Sequence, residues 1–228
     1  MAPHLWQRKE LWVPTWKGWF ALLLLVAGVG GFLFAHAESF LAISAPVPAD
    51  VLVVEGWISR PAVRDAVLAF ETGHYRSIVA VGGWTAQAVT PALGLTYAQH
   101  VASRLVQAGC PSNSVLIALP SPQDSDRTSE QARSARRLLS DQHIVPTGIN
   151  VFTSGPHARR SRLVYRKIFG PNIPVGVICS RAEMPEQVRW WQDSVRGKEV
   201  IAETLGWIGE ILTRRPPEPR TPLPELEN

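Results

Sequence analysis

The stretch Gly148-Ile-Asn-Val-Phe-Thr-Ser-Gly-Pro-His-Ala-Arg-Arg-Ser-Arg-Leu-Val-Tyr-Arg-Lys-Ile-Phe169 decides how the chain is read. Ile149 to Thr153 is short and rich in β-branched and aromatic residues, the composition of a buried strand. Ser154-Gly155-Pro156 is a turn opening a helix, because Ser or Gly can cap a helix and Pro is tolerated in its first turn. The helix then carries His157, Ser161, Val164 and Ile168 on one side, at spacings of four, three and four, with Arg160 on the flank. Open α/β sheets build ligand sites this way, beyond the carboxyl ends of strands and against helix N-termini. A basic, solvated helix with a capped start would look the same from this stretch alone.

Outward from it, strands and helices alternate. Asp50–Val54 reads as a strand apolar on both faces, with Glu55-Gly56-Trp57-Ile58-Ser59 as its exit turn. Pro61–Phe70 is a helix ending at Gly73, and Ser77–Val81 is a second strand followed by Gly82-Gly83. After a loop containing Pro91 come a helix at Thr96–Ala108 and a strand at Ser114–Leu119. A helix at Thr128–Leu139, the fourth strand and helix of the opening stretch, a strand at Val175–Ile178 and a helix from about Lys198 to Thr213 complete the domain. This pattern predicts an α/β fold: a parallel sheet of about five strands with helices on both faces, Rossmann-like and three-layered.

The domain at 50–213 follows four shorter segments or precedes them: a basic, aromatic leader at 1–17, an apolar span at 18–37, a linker at 38–49 and a Pro-rich, disordered tail at 214–228. No residue of Gly18–Ala37 carries a formal charge apart from a proton on His36, and twenty residues at helical rise cover about 30 Å, the hydrocarbon thickness of a bilayer. Trp12, Trp16 and Trp19 stand where an interfacial belt belongs. Arg8, Lys9 and Lys17 precede the span and the next basic residue after it is Arg60, bar His36, which predicts a cytoplasmic N-terminus and an exported domain at the inner membrane. Ala35-His36-Ala37 also fits a signal-peptide cleavage site, and an uncleaved anchor is preferred because the apolar run is long.

The 228 residues carry a net charge of +4, of which the first seventeen residues supply +2. The rest is nearly balanced, and aromatics are not interleaved with basic residues, so nucleic acid is not an expected partner. No His/Cys spacing for a metal, no nucleophile elbow and no phosphate-loop lysine motif occurs, and no cofactor is indicated.

Candidate chemistry collects at the strand ends. Glu55 is a candidate general acid or base, or a metal ligand, or else an exposed turn residue paired with an arginine. Gly82 and Gly83 would let backbone approach a ligand. Arg127, Thr128, Glu130 and Gln131 open a helix: Thr128 and Gln131 fit a capping box, and the same geometry offers amides and a hydroxyl to an anion. Thr153 and Ser154 end the fourth strand, His157 is a candidate proton-transfer group, and Arg160 a candidate anion ligand. Cys110 and Cys179 fall at opposite ends of a parallel sheet, roughly 17 Å apart, which predicts two free thiols.

In order, Ala-Asp-Val-Leu-Val-Val at 49–54, Gly82-Gly83, Thr128-Ser-Glu-Gln-Ala132 and Thr153-Ser-Gly-Pro-His-Ala-Arg-Arg160 resemble the motifs of the YdcF/SanA/ElyC-like family over about residues 48–180. That resemblance implies an α/β domain of incompletely defined activity, placing Thr128, Glu130 and Gln131 on one family motif and Thr153, Ser154, His157 and Arg160 on another. Many members sit behind an N-terminal membrane segment, and bacterial ones are associated with envelope and peptidoglycan biogenesis. One cytoplasmic member is linked to S-adenosylmethionine. The chain departs from the pattern at Glu55, where many members carry glycine, and at Gln131, where asparagine is commoner. Two function classes follow. One is a protein that binds or processes an anionic, phosphorylated or nucleotide-like envelope precursor; the other is a non-catalytic assembly factor.

Overall fold

The structure, a computed structural model, describes residues 12–83, 95–119, 126–182, 184 and 187–213. The first part of the leader, the loop around Pro91, residues 120–125, residues 183, 185 and 186 and the tail at 214–228 lie outside the described residues. The chain divides into two compact units, Met1–Ala37 and Glu38–Asn228.

The first unit contains most of helix α1 (Trp16–Leu41), whose large apolar residues are exposed as far as Phe34 and which is long and apolar enough to cross a membrane. Its 26 residues exceed the roughly 20 that a hydrocarbon core requires.

The second unit is built on a five-stranded parallel sheet of β1 (Val51–Glu55), β2 (Ser77–Val81), β3 (Val115–Ala118), β4 (Ile149–Ser154) and β5 (Val175–Ser180), in the order β3-β2-β1-β4-β5. Helices α2 (Arg60–Gly73), α3 (Tyr97–Gln107), α4 (Arg127–Asp141) and α5 (Ala158–Phe169) connect the strands, and α6 (Ser194–Leu212) follows. The expected α/β architecture is the observed one.

Side-chain alternation along β1 explains the three layers. Leu52 and Val54 face a core shared with Ala62, Ala66 and Phe70 of α2 and Val101 and Leu105 of α3. Val51 and Val53 face the other core, with Ala132 and Leu139 of α4 and Val164, Tyr165 and Ile168 of α5. Each fully buried side chain of this kind stabilises the fold by about 1.5–3 kcal/mol before conformational entropy is subtracted. Glu55 continues the odd-numbered face as the last residue of β1, so it is buried with α5 rather than exposed in a turn.

From β1 the chain winds outward through β2 to β3, then crosses back to β4 on the other side of β1. The reversal puts the switch point of the sheet at the carboxyl ends of β1 and β4, the position where open α/β sheets hold ligands.

Residues expected as a linker belong to the domain. Glu38 pairs with Arg196 at 2.6 Å, Leu41 and Ala42 are buried, and Ala45 forms an antiparallel bridge with Val177. Both backbone groups of Val47 bond the Asn150 amide, at 2.9 and 2.8 Å. Strand β5 is an edge, and this segment satisfies backbone groups that would otherwise face solvent unpaired.

Three further details differ from the sequence reading. The capping box belongs to α3, where Thr96 and Gln99 bond reciprocally, and not to Thr128 and Gln131. Helix α4 begins one residue earlier than expected, on Asp126 in a left-handed conformation, which puts Thr128 inside the first turn. At the opening stretch, Gly155–His157 forms a 3-10 turn before α5, and Ser154 makes no capping bond.

Candidate functional site

Four elements deliver side chains to the carboxyl end of β1. Glu55 is 0% exposed and accepts three hydrogen bonds: from Thr153 Oγ1 of β4 at 2.5 Å, Ser161 Oγ of α5 at 2.8 Å and Trp57 Nε1 at 3.1 Å. A buried carboxyl group is costly unless its oxygens are satisfied, and these neutral donors satisfy both. Among the described residues, no arginine is a hydrogen-bond partner of Glu55.

His157 lies above this carboxylate. Its Nε2 is 3.6 Å from Glu55 Oε2, and its Nδ1 is 2.9 Å from Glu203 Oε1 of α6. Trp57 and His157 meet in a T-shaped contact with ring centroids 5.2 Å apart, which restricts rotation of the imidazole. Arg160 reaches the same Glu203 with a two-pronged contact, Nε to Oε2 at 2.6 Å and Nη2 to Oε1 at 3.0 Å, and donates Nη1 to Thr128 Oγ1 at 3.2 Å.

The electrostatics assign the histidine tautomer. Burial raises the Glu203 pKa, but the hydrogen bonds and charges of His157 and Arg160 outweigh it and hold the carboxyl at about 2. Burial likewise lowers Arg160, and the Glu203 pairing overcomes it, so the guanidinium ends above its ordinary value. An ionised Glu203 only accepts, so Nδ1 carries the proton and donates to it. Arg160 Nη2, 3.0 Å from Nδ1, therefore directs its hydrogen to Glu203 instead. That leaves Nε2, facing Glu55, as the nitrogen able to take or give a proton. A histidine oriented through Nδ1 by a carboxylate is the arrangement that general acid–base catalysis uses.

The structure joins Glu55, Thr128, Thr153, His157 and Arg160 in one network. Other candidates lie elsewhere. Glu130 is buried but turned along α4 to Arg137 at 2.6 Å and Arg133 at 3.7 Å. Arg127 is exposed at the start of α4, and Gln131 is half-buried one turn on. Ser154 is buried at the end of β4, paired across the sheet with Ser180.

Gly82 has φ +144°, and a Cβ on it would stand 2.7 Å from Tyr97 Cβ; a Cβ on the neighbouring Gly56 would meet the Tyr97 backbone at 2.6 Å. The close approach expected for a ligand is taken by the start of α3, where Ala98 N–H bonds Gly82 O at 3.0 Å and Tyr97 N–H bonds Gly83 O at 3.3 Å.

Glu203, Ser161 and Trp57 complete the site without having been candidates. Glu203 had a signal in the sequence. The inward face of α6 carries Arg196, Val200, Glu203, Trp207 and Glu210 at spacings of four, three, four and three, three of them ionisable. One turn from Glu203, Gly206 leaves room for Arg160, whose Cδ would be 2.9 Å from an added Cβ.

Among the described residues, no group of three or more His, Cys, Asp and Glu side chains is placed to hold a metal ion. Both Cys110 and Cys179 are buried free thiols, and burial pushes Cys179 up to about 11. No protein-family model matches the chain, and no curated protein matches it.

Proposed function

We propose that residues 38–213 form an extracytoplasmic enzyme, anchored in the inner membrane by α1, that binds and processes an anionic, phosphorylated or nucleotide-like precursor of the cell envelope. The observation that carries this reading is His157, oriented through Nδ1 by an ionised Glu203 and turned through Nε2 toward Glu55. His157 would move the proton, Glu55 would share or receive it, and the first turns of α4 and α5 would supply the donors for an anionic group. The basic residues before the apolar span support the export, and the resemblance of the paired motifs to the YdcF/SanA/ElyC-like family supports the compartment.

A specific observation favours the second reading, a non-catalytic assembly factor. Arg160, the cation expected to hold the anion, is engaged by Glu203. On the enzyme reading, an incoming anion would exchange with Glu203 at that guanidinium.

Complementation of a deletion strain's envelope defect separates the two. His157→Asn at wild-type protein level should lose function. Arg166→Ala, exposed farther along α5, should retain it. A fully functional His157→Asn would exclude proton transfer at this site and leave the assembly reading.

A further inference from the structure

Helix α6 is amphipathic in the inverse sense. Its inward face is largely ionic, as described, while Ile201, Leu205, Ile208 and Leu212, at spacings of four, three and four, are 44–77% exposed. Such a stripe extends about 17 Å at helical rise. The carboxylates of α6, Glu199, Glu203 and Glu210, all project from the opposite half by helical spacing. The one charged residue of α6 on the outward half is Lys198, and Arg214 and Arg215 follow the helix in sequence. Just before the helix, Trp191 is 37% exposed.

Apolar residues in a stripe, a cation near its start and an aromatic residue just before the helix are the composition of a helix lying in a membrane interface. A second copy of the same face would offer no anionic group to Lys198, whereas anionic lipid headgroups would. Glu38 directly follows Ala37, and its carboxylate grips Arg196 in the first turn of α6 through contacts of 2.9 and 2.6 Å.

We infer that the outward face of α6 rests on the surface of a bilayer containing anionic lipid, with Ile201, Leu205, Ile208 and Leu212 in the acyl-headgroup boundary. This rests on the membrane anchoring proposed above.

The test uses the full chain in nanodiscs of phosphatidylethanolamine and phosphatidylglycerol. Leu205→Cys and, for comparison, Gln107→Cys on the exposed end of α3 are labelled with an environment-sensitive fluorophore. The unsubstituted chain, whose thiols are buried, sets the labelling background. Lipids brominated in the acyl chain should quench the label at position 205 at least twofold and leave that at 107 unchanged. Equal quenching at the two positions in a chain that enters nanodiscs would overturn the docking and spare the anchoring. Disulfide-linked dimers through position 205 without lipid quenching would assign the face to a second copy. A chain that does not enter nanodiscs would overturn both readings.

Discussion

Glu203 of α6 and Arg160 of α5, forty-three residues apart, form a two-pronged ion pair with contacts of 2.6 and 3.0 Å. Their side chains are 17% and 23% exposed, so water screens the pair only partly. Removing one partner of a fully buried pair costs about 3–5 kcal/mol, and this exposure brings the expected cost of Glu203→Ala or Arg160→Ala to about 2 kcal/mol. The double substitution should cost less than the sum of the two by at least about 1 kcal/mol. Urea unfolding of the four proteins in a double-mutant cycle measures this, and additive losses would show that the pair does not stabilise the fold.

The same carboxylate predicts an acid limb. Its pKa in the folded chain, about 2, lies below the ordinary 4.5, so the unfolded chain binds the proton more tightly. The stabilisation is fully present above pH 4.5 and is lost as pH falls toward 2, amounting to roughly 3 kcal/mol when complete. Thermal unfolding of wild type should fall faster than that of Glu203→Gln between pH 5 and pH 2.5. Parallel curves would place the titration elsewhere.

Gly82→Ala should destabilise by more than about 2 kcal/mol, because a positive φ and a 2.7 Å approach to Tyr97 act together. Gly109→Ala separates the two effects: it shares the positive φ, +116°, but an added Cβ meets nothing within 4 Å. It should cost about 1 kcal/mol. Equal losses at the two positions would mean that α3 can move away from the sheet.

Topology is open to direct test. Alkaline phosphatase fused after residue 213 of the full chain should be active, because the basic residues that retain the cytoplasmic side precede the apolar span. Active cytoplasmic reporter fusions at the same point would reverse the orientation.

Much of the fold was legible because local physics wrote it: β-branched runs apolar on both faces, glycines and prolines between them, and helical periods in the intervening segments. Those patterns suffice for a parallel sheet, and a parallel sheet by itself gathers Glu55, Thr153 and His157 at one edge. The apolar span was legible for the same reason, since twenty uncharged residues need no partner to be read. Tertiary structure decided the rest. Side-chain parity along β1, counted to its last residue, buried Glu55 beneath α5 instead of leaving it in a turn. Tyr97 took the space beside Gly82 that a ligand was expected to use. Packing of α6 against α5 brought Glu203 to Arg160 and His157, a contact between helices that no spacing within either one specifies. A sequence lists which charges a helix carries; only packing chooses which of them meet, because desolvation and pairing depend on what faces them across the interface.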